Sequence, residues 1–173
     1  VTSDIVTYTK DRYKKLQSEL DSSNGYAFQN YNPTKGYGYG IVANPSDLRT
    51  DLNDDGTSHS PILGFAYDGN PIYGPYGYSD PTNQSSSISR LRTSYRLKAN
   101  LVYDEVTNPT PVRTDGPLLS EEIAGKFVED YEYSFSVGDL DQYNGRFCKT
   151  PEYPTGRYCY FVTIEATEQG NPV

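Results

Sequence analysis

The chain has 173 residues, with 23 acidic and 15 basic side chains, a net charge of −8, one histidine, two cysteines, and neither tryptophan nor methionine. That length suits a single domain with one real core. The acidic balance argues against a nucleic-acid partner, whose affinity rests on neutralised phosphates, and no apolar run approaches bilayer-spanning length, so membrane insertion is not expected. Eighteen tyrosines and six phenylalanines make the ring surface amphipathic, because a tyrosine fills apolar space while its hydroxyl still reaches water or a partner.

Residues 1–24 read as an N-terminal helix or a linker to an upstream module. Tyr13, Leu16 and Leu20 recur at three- and four-residue spacing among Lys10, Lys14, Lys15, Glu19 and Asp21, which predicts a helix over 5–21. Ser22-Ser23-Asn24-Gly25 ends it. The helix either packs on the domain or joins it to a preceding part. The start at Val1 and the ending EQGNPV read as a piece of a longer polypeptide, cut by processing or by experiment.

Between Gly25 and Thr57, GYAFQNY and GYGYGIV alternate rings with small residues, the period of a strand. Asp51, Asn53, Asp55 and Gly56 match the opening of a calcium loop, D-x-N-x-D-G, in which alternate oxygens point inward and the glycine makes the turn. The twelfth position is Ile62, where a bidentate glutamate is needed. A calcium site and a hydrated Asx-turn loop are the two readings.

The stretch from His59 to Tyr78, HSPILGFAYDGNPIYGPYGY, crowds rings, glycines and prolines around one carboxylate, Asp68. Proline removes a backbone donor and glycine weakens either element, so neither a long helix nor a central strand is expected. The spacing predicts a strand over Ile62–Tyr67, an Asp-Gly turn at Asp68-Gly69 and then a rigid aromatic loop. Tyr73, Tyr76 and Tyr78 are the candidate binding surface, with Asp68 tying down the turn. The alternative is that these rings cover the domain's own core.

Leu91, Tyr95, Leu97, Leu101, Tyr103 and Val106 suggest strands over 90–107 with a bend at Lys98-Ala99-Asn100, and PTPVRTDGP must be loop. FVEDYEYSF alternates acid and ring, with Asp130 facing solvent or a site. RFCKT and RYCYFVTIEA flank the turn chemistry of PEYPTG and form a hairpin. In it Tyr158, Tyr160 and Val162 share one face, and Cys159, Phe161, Thr163 and Glu165 share the other. The expected fold is mainly β: one compact domain with long ordered loops and a short N-terminal helix.

A lone His59 makes no zinc site without cysteines or carboxylates. Cys148 and Cys159 can be unpaired structural thiols, a cross-strand disulfide or metal ligands. A disulfide closing so short a loop is worth about 3 kcal/mol by loop entropy. Acid–base catalysis needs a convergent pair with separated pKa values. Asp68, Asp139, Asp141 and Glu152 are candidates, but nothing in their spacing demands convergence. There is no G-x-S-x-G, phosphate-binding glycine loop or H-E-x-x-H. Composition and spacing favour a structural or binding module over an enzyme.

The His59–Tyr78 stretch, GDLDQYNGRFCKTPEYPTGRYCYF from Gly138 to Phe161, and KFVEDYEY from Lys126 to Tyr133 together resemble the YHYH domain family, over about residues 35–165. The spacing and the loop SDPTNQSSSISRLRTSYRLK look like versions encoded by marine, especially cyanobacterial, phages. There such domains occur in large virion proteins, often attached to tails or fibres. The family also occurs in secreted bacterial and eukaryotic proteins and has no established activity. Its namesake motif corresponds to Tyr37-Gly38-Tyr39-Gly40 with Ala43-Asn44-Pro45 downstream, so glycine stands at both histidine places. The later Tyr158-Cys159-Tyr160-Phe161 also lacks histidine, while His59 is retained.

The resemblance implies a β domain over 25–173, truncated at its C-terminal end and located in the virion. Its role there is structural, in a tail, fibre or capsid-associated protein. The implied partners are other virion proteins, copies of itself, or a host-surface glycan. No cofactor is expected beyond the calcium of the half motif. Two rivals stand beside this reading. One is a metal-assisted hydrolase of envelope polysaccharide using His59 with Asp68, Asp139 or Asp141. The other is an inert assembly spacer contacting its neighbour through the helix at 5–21.

Overall fold

A computed structural model describes residues 16, 18–29, 36–114 and 116–164. Residues 5–15 and 17 of the helix expected at 5–21 lie outside the described residues, and 18–19 form a turn.

Alternating ring and glycine positions produce the first ribbon. β1 (Gly25–Gln29) and β2 (Tyr37–Ile41) pair antiparallel. Gly38 and Gly40 make room for the ring of Phe28, since a Cβ on Gly38 would stand 2.8 Å from that ring. A short helix, α1 (Ser46–Asp51), follows. Then come β3 (Ile62–Phe65), β4 (Pro71–Tyr73), β5 (Tyr76–Tyr78), β6 (Ile88–Arg90), β7 (Tyr95–Leu97), β8 (Tyr131–Tyr133), β9 (Gly145–Cys148) and β10 (Arg157–Phe161). The main sheet has the order β3-β4-β10-β9, while β5–β6 and β7–β8 are separate antiparallel pairs.

The Asp-Gly turn forms where expected. Gly69 takes φ +80°, a conformation that suits glycine, and Asp68 accepts the Asn70 N–H at 2.9 Å. The expected aromatic loop beyond it is instead two short strands, and β4 is a central strand, antiparallel to β3 and parallel to β10. Proline tolerates this because Pro71 is the first residue of the strand, where a missing donor costs least. The bend at 98–100 is a 3-10 turn, Ala99–Leu101. Beyond it the only pairing among the described residues of 102–107 is an isolated bridge from Asp104 to Asn108, not a strand.

One face of the main sheet carries the core, where Tyr73, Leu91, Leu140, Cys148, Cys159 and Phe161 cluster. The register sets Tyr73 beside Phe161, and their rings stack at 5.6 Å. Full burial of side chains of this kind contributes about 1.5–3 kcal/mol each. The Tyr73 hydroxyl is not left dry, since it lies 2.8 Å from both Thr150 Oγ1 and Glu152 Oε2.

Asp130 faces neither solvent nor a site. It is 1 % exposed and paired with Arg113, itself 3 % exposed. The guanidinium donates to both Asp130 oxygens, at 2.8 and 2.9 Å, and to the carbonyls of Pro117, Glu122 and Ile123. Asp130 also accepts the Gly125 N–H at 2.9 Å. The carbonyls of Pro117, Glu122 and Ile123 are thereby gathered around this buried ion pair.

The first and last hairpins are built alike. Asp21-Ser22-Ser23-Asn24-Gly25 enters β1, and Asp141-Gln142-Tyr143-Asn144-Gly145 enters β9. In each, the aspartate accepts the N–H two and four residues on and a tyrosine hydroxyl from the opposite strand, Tyr39 or Tyr158, at 2.6 Å. Asn24 and Asn144 both take positive φ, at 57° and 54°. Their carbonyls accept the equivalent donors, Val42 N–H at 3.1 Å and Phe161 N–H at 2.9 Å.

Candidate functional site

The face of the main sheet opposite the core is aromatic. Strand alternation turns Tyr158 and Tyr160 of β10 away from Cys159 and Phe161, and Tyr158 faces Phe147 across the ladder. The two tyrosine rings meet edge to face at 5.2 Å. Phe147 and the neighbouring Tyr143 are 67 % and 66 % exposed. These rings lie down on glycine: a Cβ on Gly145 would stand 2.5 Å from Tyr158 Cζ, and one on Gly156 would stand 2.6 Å from the Phe147 ring.

Two carboxylates hold the phenols. Asp68 accepts the Tyr160 hydroxyl at 2.8 Å, and Asp141 accepts that of Tyr158 at 2.6 Å. The Asn70 N–H and the Tyr160 hydroxyl keep Asp68 below the usual carboxylate range. Burial pulls Asp141 the other way, yet the Tyr158 hydroxyl and the Tyr143 and Gly145 amides keep it low as well. Both phenols are raised, Tyr160 chiefly by its bond to Asp68 and Tyr158 chiefly by burial. At neutral pH the face therefore presents two ionised acceptors and neutral rings, and neither carboxyl holds the proton that a general acid requires.

The residues singled out from sequence divide between the two faces. Tyr73 is 0 % exposed and belongs to the core. Tyr76 is half-buried, with the Arg49 guanidinium 5.5 Å over its ring. Tyr78 is half-buried against His59, at 5.0 Å. Of the candidate surface, only Asp68 belongs to this face, through its bond to the half-buried Tyr160. The remaining members of the aromatic face are Tyr143, Phe147, Tyr158 and Tyr160. Alternation along RYCYF already placed the last two together, but nothing local says which face looks outward.

His59 does not join the carboxylates. It packs among Tyr73, Tyr78 and Phe161 on the core side, and Nδ1–H donates to the Ser60 carbonyl at 2.8 Å. Its Nε2 has no hydrogen-bond partner among the described residues. Asp139 is tied to Arg92 at 3.1 Å. Asp51 ends α1, Asn53 takes φ +56°, and Asp55 folds its carboxylate onto the Thr57 N–H and hydroxyl at 2.9 and 2.7 Å. Among the described residues no group of three histidine, cysteine or acidic side chains has metal-ligand geometry. The nearby hollow of about 440 Å³ is floored by Arg49 and Asp54, which are bonded to each other at 2.7 Å. Cys148 and Cys159 are free, buried thiols.

The family model described as YHYH protein matches residues 7–171. The chain belongs to the YHYH family. No curated protein and no solved structure matches it. In this YHYH chain the tyrosines of the Tyr37–Gly40 segment are exposed, Tyr37 at 80 % and Tyr39 at 57 %, and its two glycines lie under the Phe28 ring. Among the described residues no helix is long and apolar enough to cross a membrane.

Proposed function

We propose that this YHYH chain is a structural domain of a phage virion, in a tail, fibre or capsid-associated protein. Its aromatic face of Tyr143, Phe147, Tyr158 and Tyr160, flanked by Asp68 and Asp141, contacts a host-surface glycan. The virion setting is supported by the resemblance of the segment spacing and of the loop SDPTNQSSSISRLRTSYRLK to versions encoded by marine phages. The contact role is carried by one observation: the exposed Phe147 and the half-buried Tyr158 pack on glycines beside carboxylates that stay ionised. A sugar offers an apolar C–H face to a ring and hydroxyls to a carboxylate. Rings already held in place lose little entropy on contact.

Tyr143→Ala with Phe147→Ala tests this, because both side chains are mostly solvent-exposed. The pair of changes is expected to weaken adsorption of the purified domain to isolated cyanobacterial envelope polysaccharide by about tenfold or more, at an unchanged melting temperature. Adsorption equal to the parent's, or a parent that does not adsorb, removes the glycan role.

A further inference from the structure

β2 has one paired edge and one open edge. It pairs with β1 in a two-stranded sheet of their own, and a two-stranded ribbon alone is only marginally stable in water. The ladder fixes which backbone groups are left over. Val42 donates to the Asn24 carbonyl, and bonded and non-bonded pairs alternate along an antiparallel ladder. Gly38 and Gly40 therefore turn their N–H and C=O groups toward β1, while Tyr37, Tyr39 and Ile41 turn theirs outward. Among the described residues no strand lies beyond them.

The last hairpin shows such an edge in use. The matching asparagine bonds equate Val42 with Phe161, and so Tyr39 and Ile41 with Tyr158 and Tyr160. There the outward edge of β10 is filled by β4, which lies beside Tyr160 and Phe161 and accepts the Val162 N–H at the Tyr73 carbonyl. The edge of β2 is also undefended. Folded proteins keep open edges apart with charges, prolines or a covering element, yet GYAFQ and YGYGI hold no charge and no proline. The Tyr39 ring does not shield it, because that ring leans the other way, over Gly25 to Asp21.

We propose that β2 pairs antiparallel with β2 of a second copy of this chain, about a two-fold axis at Tyr39. The result is one continuous sheet in the order β1-β2-β2-β1. This axis sets Tyr39 opposite its mate and Tyr37 opposite the partner's Ile41, so each outward residue exchanges both of its bonds. Tyr37, Tyr39 and Ile41 share one face and are 80, 57 and 43 % exposed. Pairing brings those side chains together, ring beside aliphatic chain. A two-fold contact needs only to be complementary to itself, and this one brings no charged side chains opposite each other although the chain carries −8. The inference does not rest on the glycan reading, whose rings belong to the other hairpin.

An edge of five residues makes a small, weak interface. Sedimentation of the purified chain is expected to show a reversible dimer that forms as concentration rises through the micromolar range, with slowed amide exchange at Tyr39 and Ile41 as it forms. Tyr37→Lys with Ile41→Lys sets like charges opposite each other and is expected to weaken the dimer about tenfold or more. Tyr37→Lys with Ile41→Glu sets opposite charges there and is expected to keep it. All four changes fall on exposed side chains, so the monomer should melt as the parent does. A parent that stays monomeric up to about 1 mM overturns the proposal. In that case amides already protected assign the edge to another segment of the same chain, and unprotected amides leave it unfilled. A double-lysine dimer as tight as the parent's, or a lysine–glutamate variant as weak as the double-lysine one, also overturns it.

Discussion

Tyr158 lies over Gly145 so closely that a Cβ there would stand 2.5 Å from Tyr158 Cζ. Gly145 does not have positive φ, so space alone requires glycine. Gly145→Ala must lift the ring and pull its hydroxyl from Asp141, an overpacking cost of about 1–3 kcal/mol. In a Tyr158→Ala background the same change meets no ring and should be nearly neutral. Urea unfolding of the four proteins in this cycle measures the coupling. Equal costs in both backgrounds would falsify the idea that the ring rests on the glycine.

Arg113 and Asp130 make a harsher prediction. Asp130→Asn keeps the shape but leaves a buried guanidinium uncompensated, at a cost of about 3–5 kcal/mol. Replacing both residues by leucine should not restore stability. The carbonyls of Pro117, Glu122 and Ile123 and the Gly125 N–H lose their partners with the pair. Recovery of the parent's denaturant midpoint in the double variant would mean that the pair is replaceable filling.

Acidification should weaken the fold in two stages. Burial among rings holds His59 below its ordinary 6.5, so the unfolded chain takes up that proton more readily. The stability from neutral His59 is complete above 6.5 and declines as pH falls below it. Asp130, Asp139 and Asp141 are held below the usual carboxylate range. Burial opposes the shift in each, but their hydrogen bonds and, for the first two, arginine partners prevail. Their contribution is lost only at still lower pH, as each folded carboxylate takes up its proton. With one histidine in the sequence, its NMR titration is unambiguous. A midpoint at or above 6.5, or a melting temperature unchanged from neutral pH to about pH 5, contradicts the burial argument.

Local chemistry was legible in the sequence. The ring–glycine alternation of β1 and β2, the turn at Asp68-Gly69 and the β9–β10 hairpin need only neighbouring residues to be read. Pairings between distant segments were not. The central position of β4 depends on β10 lying beside it, and no local pattern in PIYGPYGY reports that. For the same reason Tyr73, Tyr76 and Tyr78 were recognisable as rings but not by the direction they face. Asp130 among aromatics looked exposed because its partner, Arg113, sits in a proline-rich stretch with no periodic signal. The shared design of the two hairpins escaped the sequence reading, which took Ser22–Gly25 as a helix end; the hydrogen bonds reveal that the Asp, Asn and Gly of D-S-S-N-G and D-Q-Y-N-G play matching roles.

The Arg113 guanidinium does for its loop what a chelated ion does for a calcium loop: it gathers carbonyls and a carboxylate around one positive charge. This ion is tethered to the backbone. It cannot be stripped by a chelator or diluted away, and a guanidinium keeps its proton across the range in which proteins stay folded. That stretch of the chain should therefore hold its shape regardless of the ionic make-up of the surrounding water.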